Sequence, residues 1–313
     1  MNYSARKEAE LQKRVIPQTK KADFEEFWQR EVAHLRTVPI HFERRLLTLP
    51  YKTMDAYEIT FNTHDDTVVT AYFCVPKTEQ KQGLPCVAVF HGGGGMDGIF
   101  PEIVATGVCT FSMDTRSQGG KTYDRAQYDV MDDYRGALMT HGVLDKSGFY
   151  MKNIYLDAVR TIDVIASLPE VDASRIVAYG CSQGGALSIV AAALSGKVKK
   201  AYPTVPSYAC LERRVEAGSG VFGATKNFLW KHPEHTDTVM DTLSYFDINN
   251  MVSLLTVPTA FFLGLTDPTC IPEFVYSPYA HTTAPKSIVL SPFTPHAAST
   301  AYKRWLHEEF SRL

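Results

Sequence analysis

The sequence has no apolar run long enough to span a bilayer, and residues 1–21 are polar and charged. We therefore expect neither a membrane anchor nor a secretory leader, and a cytoplasmic protein. An excess of one charge is also missing: 32 Lys and Arg against 34 Asp and Glu leave a net charge of -2. Phosphate backbones and anionic membranes gain no chain-wide attraction from that balance, so neither is an expected partner. The six cysteines, Cys74, Cys86, Cys109, Cys181, Cys210 and Cys270, include no close pair of the kind that metal sites and redox motifs require. Most are read as buried thiols, and no metal site is expected among them. Internal repeats and low-complexity linkers are lacking as well. The 313 residues, 45% of them hydrophobic, are expected to form one domain with a large core.

What is present changes period along the chain. Phe24, Phe27, Trp28, Val32 and Leu35 share a helical face within residues 22–36, so residues 1–40 read as an N-terminal helical extension. Residues 42–75 alternate as antiparallel strands do, with a turn at His64-Asp65-Asp66. From residue 85 onward, short apolar runs at 85–90, 108–114, 175–179, 258–265 and 286–291 alternate with helical stretches. This order predicts an α/β fold with a doubly wound, mainly parallel sheet, preceded by antiparallel strands. Residues 121–150 form an irregular insertion, and residues 207–250 a mixed, cap-like segment.

Gly180-Cys181-Ser182-Gln183-Gly184 lies between an apolar run and a small-residue helical stretch. Strand, sharp turn and helix in that order make a nucleophile elbow, with Ser182 as the candidate nucleophile. Cys181 is read as packing. A serine hydroxyl needs a base. Asp267 and His296 each follow a predicted strand, and the chain order Ser, Asp, His is that of α/β hydrolases. His296 would take the serine proton and Asp267 would orient the imidazole. His91, His281, His307, Asp241 and Asp247 are the rivals. His91 sits instead before Gly92-Gly93-Gly94-Gly95, where it would brace a loop of exposed N–H groups. These glycines lack the Lys and Ser/Thr of a P-loop. The N–H groups of Gly93 and Gln183 are the expected oxyanion hole. Arg116 and Gln118, in a turn after another strand, are expected to tie loops together. His232 and His235 flank Pro233 and read as exposed side chains, not metal ligands.

Several stretches together resemble the acetyl xylan esterase and cephalosporin C deacetylase family, carbohydrate esterase family seven. They are Asp23-Phe24-Glu25-Glu26-Phe27-Trp28, His91-Gly92, residues 114–120, Gly142-Val143-Leu144-Asp145, residues 180–185 and Gly264-Leu265-Thr266-Asp267. Of three family motifs, Gly-x-Ser-Gln-Gly is intact. Arg-Gly-Gln reads Arg116-Ser117-Gln118, and His-Glu reads His296-Ala297. A tyrosine that usually follows His-Gly is replaced by Gly93, which is expected to open the pocket. The resemblance implies an α/β-hydrolase fold and removal of acetyl groups from small acetylated sugars through an acetyl-serine intermediate, without a cofactor. It also implies a homo-oligomer, a hexamer, with the 121–150 insertion at its contacts. The competing readings are a dienelactone hydrolase, which would carry cysteine at Ser182, a peptidase relative, which would need a further large domain, and a silent binding protein on the same fold.

Overall fold

The computed structural model describes residues 2–80, 82–95, 98–129, 137–218 and 220–313. Residues 130–136 of the insertion thus lie outside the described residues. The alternating segment forms β1 (Phe42–Leu46), β2 (Met54–Asn62) and β3 (Val68–Pro76), paired antiparallel in sequence order. The later apolar runs form β4 (Leu84–Phe90), β5 (Cys109–Met113), β6 (Val171–Cys181), β7 (Val198–Thr204), β8 (Thr259–Gly264) and β9 (Lys286–Ser291). All nine belong to one sheet in the order β1-β2-β3-β5-β4-β6-β7-β8-β9. Only β3 meets β5 antiparallel; every pairing from β5 to β9 is parallel.

β4 explains why the sheet is covered on both faces. Each of its residues is buried, because successive side chains enter opposite cores. Cys86, Ala88 and Phe90 join a cluster with the helices Phe24–Thr37, Tyr150–Ile165 and Gln183–Leu194. Val87 and Val89 join the other cluster, which includes Leu11, Tyr302, Leu306 and Phe310. The chain reverses direction across the sheet around β4, with β5 on one side and β6 on the other. In such sheets ligands collect beyond the carboxyl ends of the strands.

The helix Tyr150–Ile165 buries Tyr150 and Met151 in its first turn, which extends its apolar surface. Residues 207–250, read as mixed, contain the helices Leu211–Ala217, Gly223–Lys231, Thr236–Ser244 and Ile248–Met251. The first is capped by the Asp247 carboxylate, which accepts from the N–H groups of Cys210 and Leu211 at 2.8 Å each. That use explains why this rival acid is not a candidate for catalysis. His281, another rival for the base, is half-buried, and its Nε2 meets the Ile16 carbonyl at 2.8 Å.

Ser117 adopts φ +56°, the left-handed region that glycine enters freely. Glycine stands at this position in the motif the chain resembles. The serine conformation costs about 1–2 kcal/mol, offset in part by the greater chain entropy of an unfolded glycine. Ser117→Gly is expected to stabilise the fold by roughly 0.5–1 kcal/mol, read as a higher melting temperature. An unchanged or lower melting temperature would mean that the serine hydroxyl, 3.4 Å from the Asp124 N–H, repays the strain.

Candidate active site

Six loops leave the carboxyl ends of parallel strands, and each brings a side chain or N–H to one place. Gly93 follows β4, Gln118 follows β5 and Ser182 follows β6. Ser207 and Tyr208 follow β7, Thr269 follows β8 and His296 follows β9. All of these line one cavity of about 700 Å³.

Ser182 holds φ +58° and ψ -118° between β6 and the helix Gln183–Leu194. A non-glycine residue pays about 1–3 kcal/mol for such a conformation and keeps it only when its surroundings over-determine it. Here the Ser182 N–H donates to the Thr204 carbonyl at 3.0 Å, and its carbonyl accepts from Ser207 N–H at 2.9 Å. Close packing finishes the constraint. A Cβ on Gly184 would stand 1.8 Å from the Phe90 carbonyl oxygen, and one on Gly180 would stand 2.4 Å from Gly184 itself. The two glycines let β4, β6 and the helix meet. The Gln183 N–H opens that helix, where the first N–H groups have no intrahelical acceptor.

His296 Nδ1 lies 2.8 Å from Asp267 Oδ2. Asp267 is 2% exposed, and its other oxygen accepts from the N–H groups of Thr269 and Cys270 at 2.8 Å each. With Oδ2 facing the ring, the proton belongs on Nδ1 and the lone pair on Nε2. The Asp267 hydrogen bond, then the adjoining Cys270 sulfur, raise the imidazole pKa above its ordinary value, against the opposing effect of burial. Ligand atoms of Asp267, Cys270 and His296 lie within 4.8 Å of one another. A divalent ion bound by all three through Nδ1 would replace the proton shared with Asp267.

The surrounding residues are held by a dense polar network. Arg116, fully buried, places two 2.7 Å hydrogen bonds on Asp157 and reaches Asp65 at 2.7 Å and Asp124 at 3.0 Å. Asp65 belongs to the β2–β3 turn, so the guanidinium ties that turn to the loop after β5. Gln118 and Gln183 exchange reciprocal amide hydrogen bonds of 2.8 and 2.9 Å, and Tyr208 donates its hydroxyl to Gln183 Oε1. His91 Nε2 accepts from the Thr115 N–H at 2.9 Å, while Nδ1 faces the Gly92 carbonyl. Burial lowers the His91 pKa, which suits a neutral ring joining the loops after β4 and β5. Its nitrogens are thereby occupied. Cys181 packs against the second core, and burial pushes its thiol up to about 11.

Residues 5–311 match the sequence model of the acetyl xylan esterase (AXE1) family. The chain belongs to the acetyl xylan esterase family. It is therefore a carboxylic ester hydrolase, and its chemistry is acetyl ester hydrolysis. Among solved structures it is similar to an acetyl xylan esterase from Paenibacillus sp. R4, with 33% identity, a TM-score of 0.91 and coverage of 97% of this chain and 98% of that one. An acetyl xylan esterase from Thermoanaerobacterium sp. JW/SL YS485 shares the fold at 23% identity, with a TM-score of 0.89 over 97% and 98% of the two chains. The acetyl esterase Axe7A of Xylanibacter ruminicola is 26% identical over 302 residues, 92% of this chain and 67% of that protein.

Tyr208 and Arg214 are among the side chains of this esterase's cavity that escaped the sequence reading. Tyr208, at φ +59°, fixes the side chain of the residue after Ser182; its signal was its place just beyond β7. Arg214 also lines the cavity, but its neighbour Arg213 faces solvent, and no local pattern separates them.

Proposed function

We propose that this esterase removes acetyl groups from small acetylated carbohydrates, acetylated xylo-oligosaccharides among them, and from related esters such as cephalosporin C. The observation that carries the reading is a constrained Ser182 sharing a cavity with a histidine whose far nitrogen is engaged by buried Asp267. His296 Nε2 takes the Ser182 proton as the hydroxyl oxygen attacks the acetyl carbonyl. The N–H groups of Gly93 and Gln183 receive the negative charge on the carbonyl oxygen. The protonated imidazole then gives its proton to the departing sugar oxygen, leaving acetyl-Ser182. Water, deprotonated by the same nitrogen, releases acetate and restores the serine. His91, Arg116 and Gln118 act indirectly by fixing the loops.

A volume of about 700 Å³ falls in the range of small-molecule sites. An added Cβ at Gly93 would meet nothing within 4 Å, consistent with a rim widened where family members carry tyrosine. The absence of disulfides among the six cysteines suits the reducing cytoplasm. For assembly the reading adopts the family's homo-oligomer, a hexamer. The test is a series of p-nitrophenyl esters run beside acetylated xylo-oligosaccharides. kcat/KM should fall from acetate to octanoate, with acetate released from the oligosaccharide; a preference for octanoate would reject the deacetylase reading.

A further inference from the structure

The helix Leu211–Ala217 carries two consecutive arginines with opposite fates. Arg213 is exposed and paired with Glu216. Arg214 is 2% exposed, lines the cavity that holds Ser182 and His296, and has no carboxylate within ion-pair distance among the described residues. Its Nε donates to the Ala209 carbonyl at 2.8 Å and its Nη1 to the Thr269 carbonyl at 3.2 Å. The guanidinium also lies 5.1 Å from the Phe274 ring centroid. Nη2, although buried, has no partner among the described residues. Asp247 is not available to it in full, because that carboxylate already accepts from the N–H groups of Cys210, Leu211 and Asn249.

A buried cation without a counter-charge is expensive, and an unspent buried donor adds to the cost. Buried arginines are normally paired with a carboxylate; this one has none among the described residues and borders a ligand cavity. No Asp or Glu is among the described residues lining that cavity, and Arg214 is its permanent cation. The positive field acts through a wall largely apolar in character, where charge interactions exceed their strength in water. The acetyl group is small and uncharged, so the missing negative charge belongs on the alcohol portion of the substrate.

We propose that Arg214 is a specificity-determining residue that favours acetylated uronic acids, in which the sugar carries a carboxylate, over neutral acetylated sugars. The buried guanidinium supplies an uncompensated positive charge at the cavity wall and the substrate supplies the counter-charge. The proposal rests on the esterase reading above. Acetate released by the reaction is a second carboxylate that could meet the same group, so the test separates the two.

The probes are an acetylated methyl glucuronoside and its neutral methyl ester, which differ only in the charged group. Wild type should show the higher kcat/KM on the acid. In Arg214→Gln the acid should lose about 10- to 100-fold more kcat/KM than the methyl ester, and Arg214→Lys should recover part of that loss. Equal losses on both esters would overturn the proposal while leaving the esterase intact. A weaker inhibition by acetate with an unchanged acid-to-ester ratio would also overturn it, assigning the arginine to product. Absence of turnover on both esters in wild type would instead count against the esterase reading. Should the glutamine variant fail to fold, wild type still decides. Deacetylated methyl glucuronoside should inhibit turnover of p-nitrophenyl acetate at least about tenfold more strongly than its methyl ester; equal inhibition overturns the proposal.

Discussion

Ser182→Ala is expected to lower kcat by about 10⁵- to 10⁶-fold on any acetyl ester, with little change in melting temperature. The hydroxyl is the proposed bond-forming group, whereas the backbone contacts to Thr204 and Ser207 that hold the elbow do not involve it. Ser182→Gly separates chemistry from strain. It should be equally inactive, yet more stable by about 1–2 kcal/mol, because glycine adopts φ +58° without a Cβ penalty. Activity assays and thermal denaturation of the pair check both halves. Retained turnover in the alanine variant would remove Ser182 from the mechanism, and a glycine variant no more stable than wild type would remove strain from the elbow.

Asp267→Asn should cost about 10⁴-fold in kcat while leaving the fold intact. The N–H groups of Thr269 and Cys270 hold one carboxylate oxygen in place. They would hold the oxygen of the new amide and turn its NH2 toward His296 Nδ1. Nδ1 must then accept, the ring proton moves to Nε2, and the nitrogen proposed as the base for Ser182 can no longer take a proton. The pH profile carries a second signature. Asp267 raises the His296 pKa, and only the neutral imidazole is a base, so wild-type kcat/KM should climb with pH through a limb above the ordinary histidine value of about 6.5. Loss of the carboxylate should move that limb to lower pH, although the plateau is far lower. A limb that stays in place would show that another group governs it.

The sheet was legible because its strands differ in kind. β4 reads as a continuous apolar run since both its faces are buried, while β2 alternates because one face is more open. The elbow was legible because close approach of β4, β6 and the helix leaves room only for hydrogen at residues 180 and 184. Asp267 and His296 could be located by their position after strands. Partnerships across the chain could not. Arg116 was read as a tie, but nothing local to it identifies Asp65, Asp124 and Asp157, which arrive from three separate segments. The short helix Leu211–Ala217 was missed for the same reason. The cap of Leu211–Ala217 is Asp247, distant in sequence, so the usual start signal beside the helix is absent.

The proposed mechanism centres on an acetyl-serine intermediate, and rapid acid quenching during turnover of p-nitrophenyl acetate, followed by peptide mass spectrometry, tests it most directly. The peptide spanning β6 and the elbow should carry one acetyl group, with fragmentation assigning it to Ser182, and the label should be absent from Ser182→Ala. An acetyl group on Cys181, or turnover of the ester with no acyl-enzyme at any point of the time course, would contradict the account.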